Sequence, residues 1–207
     1  MKIYLIGNYP TGSRSMSLYI NLLKKVLIKN NKQVIILIPK IILNKLNFKN
    51  KLVKKWLGYI DNYIVFGFYL FFKINKNDCV HICDQANSLL YFYIRSKKLI
   101  ITCHDVLQMN LRFKKNLKKL SITGKLFQTL ILFALNRYKN IICVSNKTKR
   151  ELSKLINIKN RNIKVIYNAL SQDFFPMNIN TRQSFLKSKN IQHFGQGFLH
   201  HLLTVSA

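Results

Sequence analysis

The side chains best placed to do chemistry are His104 and Asp105, which end an apolar, β-branched run of the sequence. That run, Leu99–Ile101 followed by Thr102 and Cys103, has the composition of a buried parallel strand. Ligands of open α/β sheets bind outside the carboxyl ends of such strands. An imidazole placed there can hydrogen-bond a ligand or titrate near neutral pH. The alternative is a helix-capping aspartate beside a solvated histidine, and position alone favours neither interpretation.

A second candidate is the loop between the first apolar run and the first helical pattern, where Gly7 and Gly12 stand. Glycines there let backbone N–H groups approach an anion at a helix N-terminus. However, Ser13 and Arg14 occupy the positions where a nucleotide-triphosphatase loop requires Lys and Ser or Thr. The spacing also differs from the Gly-x-Gly-x-x-Gly of dinucleotide-binding proteins, and we expect no cofactor. The loop is interpreted either as a tight turn or as a substrate-lining segment.

Other reactive side chains form weaker patterns. Ser145 with His104 and Asp105 could make a hydrolase triad, but the sequence contains no Gly-x-Ser-x-Gly nucleophile elbow. We expect no metal, because the cysteine and histidine spacings match no common zinc pattern. The cysteines are predicted to be free thiols that pack as small hydrophobic groups, namely Cys79, Cys83, Cys103 and Cys143.

The chain is strongly basic, with a net charge of +29 from 35 Lys and Arg against 6 Asp and Glu. Such a charge favours anionic partners such as acidic phospholipid, phosphorylated ligands or nucleic acid. Coding bias in an AT-rich genome is an equally good explanation, because Lys, Asn and Ile are frequent along the whole chain. The basic residues are spread over every element and no nucleic-acid motif is present, so we do not expect nucleic-acid binding.

Six apolar runs alternate with helical patterns, which predicts an α/β fold: a Rossmann-like parallel sheet with helices on both faces. The strands are predicted at Lys2–Ile6, Gln33–Ile38, Cys79–Ile82, Lys98–Cys103, Asn140–Val144 and Asn162–Tyr167. Helices are predicted after a Ser17 cap, over Gln85–Arg95 and Thr123–Asn136, and from Ser145 to about Ile156.

A long apolar helix with a lysine-rich start is predicted from Leu52 to Ile74. Its most apolar part, Tyr63–Phe72, has only half of the roughly 20 residues that span a bilayer. The helix is therefore either a core element or a segment that lies on an anionic membrane. The first apolar run is too short for a signal peptide, so we expect a cytoplasmic protein, peripheral at the inner face of the cell membrane.

Five stretches in order resemble the N-terminal domain of family 4 glycosyltransferases, which have the GT-B fold. They are GNYPTG from Gly7, DCVHICDQANSLL from Asp78, ITCHDVL from Ile101, IICVSNKTKREL from Ile141 and IKVIYNALSQDFFP from Ile163. Ala169 is a departure, because the family usually has glycine there. We expect this domain to cover residues 1–176, with residues 177–207 as a linker and irregular tail, the remnant of the start of a second domain.

The resemblance implies two Rossmann-like domains that face a cleft and transfer a sugar with retention, without a required metal. In this family the N-terminal domain binds the acceptor and the C-terminal domain binds a UDP- or GDP-sugar. By position, His104 would contact the sugar or acceptor, and Asp105 belongs to the same motif. Gly12 would line the same cleft and Ser145 would lie near its rim.

The residues that hold the donor in this family lie in a second domain, which the sequence lacks. We therefore expect an apparently truncated, acceptor-side domain that is inactive alone and meets a nucleotide sugar only with a C-terminal domain. Its acceptor would be a polysaccharide or a lipid-linked glycan. The alternatives are a non-catalytic fragment or binding module that needs a separate C-terminal chain, and a basic nucleic-acid-binding protein.

Overall fold

The computed structural model describes residues 1–10, 14–46, 49–111 and 121–168, together with the single residue 184. Met1–Asn168 form one compact unit. The predicted domain boundary at residue 176 and the candidate Gly12 lie outside the described residues.

The six predicted strands are all present and pair in parallel, in the order β2-β1-β3-β4-β5-β6. Their bounds are β1 Ile3–Ile6, β2 Val34–Leu37, β3 Cys79–Ile82, β4 Lys98–Cys103, β5 Asn140–Cys143 and β6 Asn162–Val165. The ends differ from the predicted ones by at most two residues. The predicted α/β, Rossmann-like parallel sheet is therefore confirmed.

The connecting helices differ more from the sequence patterns. They are α1 Arg14–Lys29, α2 Lys51–Tyr59, α3 Phe66–Lys73, α4 Leu107–Leu111, α5 Ile122–Leu135 and α6 Asn146–Ser153. Ser17 lies inside α1, so its prediction as a cap was wrong. The segment Gln85–Tyr93 is a 3-10 helix capped by Asp84, not the predicted α-helix. Ser145 does cap α6 as predicted, although that helix ends at Ser153.

Helical segments cover both faces of the sheet. On one face α1 packs Ile20, Tyr19 and Leu23 against Leu5 of β1. On the other face α3, the 3-10 helix and α5 enclose the larger core, which includes Leu70, Leu90 and the fully buried Ile101, Ile131 and Tyr138. Within the described residues, no helix is long and apolar enough to cross a membrane.

The predicted long helix is continuous from α2 to α3 but contains a π-helix, Ile60–Val65. This π segment places Asp61 and Asn62 in the interior. Burial raises the pKa of the Asp61 carboxyl, but donors outweigh burial and the net pKa is lowered. The donors are the backbone N–H groups of residues 42–44, at 2.9–3.1 Å, and the Tyr9 hydroxyl at 3.0 Å. Asp61 thus fixes the loop after β2 to the middle of the helix.

The two glycines of this helix predict opposite responses to alanine. A Cβ at Gly67 would lie 2.6 Å from the Tyr93 ring, whereas one at Gly58 would lie 3.5 Å from the nearest atom, Asn44 Nδ2. Gly67→Ala should lower the free energy of unfolding by about 1–3 kcal/mol through overpacking. Gly58→Ala should raise it by up to about 1 kcal/mol through helix propensity. Urea unfolding of both variants measures this difference, and equal shifts would contradict it.

Candidate functional site

The strand order creates a switch point between β1 and β3. The chain leaves β1 on one side to form β2 and returns on the other side to form β3, so the loops after β1 and β3 diverge. Such a divergence opens a crevice at the carboxyl edge of the sheet, where ligands of α/β proteins bind. His104 follows β4, the strand next to β3, and therefore stands at this edge.

The His104 ring is half-buried and held from two sides. Its Nε2 lies 2.9 Å from the Cys83 carbonyl oxygen, and its backbone N–H donates to Gln85 Oε1 at 2.9 Å. The Tyr19 ring packs edge-on against it at 4.9 Å. Because a carbonyl oxygen only accepts, this geometry assigns the proton of the neutral ring to Nε2. Nδ1 is then a hydrogen-bond acceptor, and no described residue donates to it.

Three hydrogen-bonded side chains, Thr102, His81 and Tyr19, support the His104 ring through its contact with Tyr19. Thr102 Oγ1 lies 2.7 Å from Nε2 of His81 and 3.1 Å from the hydroxyl of Tyr19. Burial, together with the nearby charge of His104, lowers the pKa of His81 to about 4. Burial raises the pKa of Tyr19. Near neutral pH His81 and Tyr19 are therefore both uncharged. Their hydrogen bonds to Thr102 hold the Tyr19 ring in its position against His104.

Ser145 caps α6, and Asp105 accepts from a backbone N–H group at the start of α4. The exposed Asp105 accepts from the backbone N–H of Leu107 at 3.0 Å, at the start of α4. Ser145 Oγ accepts from the Thr148 N–H at 3.0 Å, at the start of α6. The Thr148 hydroxyl donates to the His104 carbonyl at 3.1 Å, so the Ser145 hydroxyl, 2.9 Å away, donates to Thr148. This proton is not directed to an imidazole, and the geometry argues against a hydrolase triad.

A chain of side-chain amides at the same edge was missed by the sequence analysis. Asp84 accepts from Asn8 at 2.5 Å, Asn8 accepts from Asn87 at 2.8 Å, and Asn87 accepts from Asn62 at 3.1 Å. We call this chain of residues the amide relay. It connects the loop after β1 to the 3-10 helix and the π segment. Asp84 and Asn87 could have been found from the polar residues that follow β3, in a stretch that resembles the family. No local sequence feature marked Asn62 as a polar residue of the interior.

The loop after β1 borders a pocket of about 250 Å³ whose walls include Asn8, Tyr9 and Ile38. A Cβ at Gly7 would lie 3.1 Å from Ile38 and 3.2 Å from Ile20, so glycine allows close packing where the loop begins. Asn8 of the amide relay lines this pocket, and His104 follows a strand that ends at the same edge of the sheet. A polar pocket wall and the Nδ1 acceptor of His104 are groups that suit a hydroxyl-rich ligand.

The profile of Glycosyltransferase Family 4 matches residues 23–174. The chain belongs to this family. The match includes β2 to β6 and the His104 segment, and it confirms the resemblance inferred from the sequence. No curated protein matches the chain. Membership implies, in general terms, that a sugar donor and an acceptor are the ligands of this glycosyltransferase domain.

The cysteines of the glycosyltransferase domain are free thiols, and Cys83, Cys103 and Cys143 are buried as predicted. Burial raises the pKa of Cys83 to about 12 and that of Cys143 to about 11. These thiols remain protonated at neutral pH and contribute packing. No group of three or more metal-binding side chains occurs within the described part of the chain.

Proposed function

We propose that this domain is the acceptor-binding half of a retaining glycosyltransferase that modifies a polysaccharide or a lipid-linked glycan. The observation that carries the proposal is the position of His104 at the carboxyl end of β4, with Nδ1 left as an acceptor. A neutral imidazole with one free lone pair accepts a hydrogen bond from a sugar hydroxyl and thereby orients the hydroxyl. A UDP- or GDP-sugar would be bound by a second domain that closes the cleft.

The other predicted site residues have supporting roles in this proposal. Asp105 and Ser145 hold the first turns of α4 and α6 beside the crevice. Gly12 would line the acceptor side of the cleft. Contact of these three residues with the substrate is part of the proposal.

Transfer of radiolabelled sugar from UDP- and GDP-sugars tests the proposal. The chain is assayed alone and together with a separately supplied C-terminal, donor-binding domain of the same family. We expect no turnover alone and transfer to acceptor with the donor-binding domain. Turnover by the 207 residues alone would contradict the proposal that a second domain is needed to bind the sugar donor. Acceptor binding without transfer in any combination would favour the second candidate, a non-catalytic binding module.

We further propose that α2 and α3 contact an anionic membrane surface, as the predicted peripheral location requires. Both helices expose large apolar side chains, namely Leu52, Trp56, Phe68, Tyr69 and Phe72. Lysines are interspersed with them, at Lys54, Lys55 and Lys73. Aromatic side chains beside basic ones favour the boundary between head groups and acyl chains.

Vesicle sedimentation tests this membrane contact. Phe72 is 81% exposed, and Phe72→Ser should weaken binding to vesicles containing phosphatidylglycerol by about tenfold, because one inserted aromatic ring is lost. The matched control is Ile122→Ser on α5, a residue that is 87% exposed and lies outside α2 and α3. Equal weakening by both variants, or equal binding to neutral phosphatidylcholine vesicles, would contradict the proposal.

A further inference from the structure

A second pocket, of about 240 Å³, lies between the loop after β1 and the helix formed by α2 and the π segment. Its walls include Tyr9, Asn44, Lys54, Lys55, Tyr59 and Asn62. His104, Asp105 and Ser145, the predicted site residues that the structure describes, are not among the residues that line it. It shares Tyr9 with the pocket beside β1, so the two spaces adjoin the same loop.

The amide relay ends at this pocket in an unsatisfied acceptor. The carboxylate of Asp84 can only accept, so Asn8 must present its NH2 group to Asp84 and its oxygen to Asn87. Asn87 in turn must present its oxygen to the NH2 group of Asn62. Asn62 is 6% exposed, and its Oδ1 has no hydrogen-bond partner in residues 1–10, 14–46, 49–111 and 121–168. A buried carbonyl oxygen of this kind requires a donor.

The mouth of the pocket is positively charged. Lys54 and Lys55 are exposed on α2, and the Lys55 amine lies 5.8 Å from the centre of the Tyr59 ring. The buried Asp61, which precedes Asn62 in the chain, already accepts from three backbone N–H groups and from Tyr9. Neither lysine forms an ion pair with a described residue, so both amines are available to an anion.

We infer that this pocket binds a phosphorylated polyol. The phosphate lies against the amines of Lys54 and Lys55, and one hydroxyl donates to Asn62 Oδ1. Since Oδ1 is closed to solvent, the hydroxyl reaches it by displacing side chains of the pocket wall. That this ligand is the head group of the acceptor rests on the proposed function, whereas the binding itself does not. The ligand can come from a soluble sugar phosphate or from a lipid head group.

Titration of the chain with glycerol 1-phosphate, followed by calorimetry and by NMR of the Asn62 side-chain amide, tests the inference. Propyl phosphate lacks the hydroxyls and glycerol lacks the phosphate, so both should bind at least about tenfold more weakly. Glycerol 1-phosphate should shift the Asn62 amide resonances. Equal binding of propyl phosphate, or unchanged Asn62 resonances, would overturn the inference.

The lysine contribution is tested with a matched pair of double variants. Lys54→Gln with Lys55→Gln should reduce the affinity for glycerol 1-phosphate at least about tenfold. Lys24→Gln with Lys25→Gln removes the same charge from α1 and should have no effect; equal losses would show non-specific attraction and overturn the site. Short-chain phosphatidylglycerol forms the lipid arm. Because Lys54 and Lys55 also belong to the proposed membrane surface, tighter binding than glycerol 1-phosphate together with shifted Asn62 amide resonances identifies a lipid source. Failure of these tests leaves the transfer assay unaffected, so the two proposals fail separately.

Discussion

His104→Ala is expected to reduce sugar transfer, measured with the donor-binding domain supplied, by about 100-fold or more. The Cys83 carbonyl accepts a hydrogen bond from Nε2 of His104, so Nδ1 is free to accept one from a ligand. The variant removes this Nδ1 acceptor. Because the ring is half-buried, the lost hydrogen bond should cost only about 1 kcal/mol of stability. Steady-state kinetics with urea unfolding of the same preparations separates the two effects.

Two conservative variants identify the atom responsible. Asparagine at 104 places an oxygen near the former Nδ1, whereas glutamine places its NH2 group near the former Nε2, towards the Cys83 carbonyl. His104→Asn should therefore retain more transfer than His104→Gln. The reverse order would assign the role to Nε2, and wild-type activity of His104→Ala would refute the site.

The domain is expected to lose stability as the pH falls below about 6.5, with His81 as a main cause. Burial first, and then the charge of His104, lowers its pKa from 6.5 to about 4. The unfolded chain therefore binds a proton at a pH where the folded domain does not, and stability falls with pH. The lowered pKa of His81 contributes about 3 kcal/mol to the free energy of unfolding above pH 6.5. This contribution is lost as the pH falls from 6.5 to 4.

His81→Gln tests this assignment. Glutamine does not titrate, yet its amide can still hydrogen-bond Thr102. In urea unfolding between pH 8 and pH 4, this variant should be less stable than the wild type at pH 8 but show a flatter pH dependence. His104→Gln should keep most of the wild-type slope, because burial is the larger cause of the His81 shift. An unchanged slope in His81→Gln would exclude His81 as the origin.

The sequence by itself determined the sheet and the residue at its edge. Strands such as Lys98–Cys103 are short runs rich in β-branched residues. Their consecutive apolar residues indicate burial on both faces of the sheet. Alternation with helical patterns leaves few topologies for a parallel sheet. His104 directly follows a strand, so its place at the carboxyl edge follows from chain order. The Ser145 cap was also readable, since a cap acts on N–H groups two or three residues away.

Only the tertiary structure decided the chemistry of the edge. The Cys83 carbonyl that frees Nδ1 is 21 residues from His104, and Asp84 is 76 residues from the Asn8 that it orients. The π segment breaks the 3.6-residue period, so periodicity could not show that Asp61 and Asn62 face the interior. Local patterns record which residues are buried and which turns they allow. The direction of a hydrogen bond between distant elements is set only when folding brings both partners together.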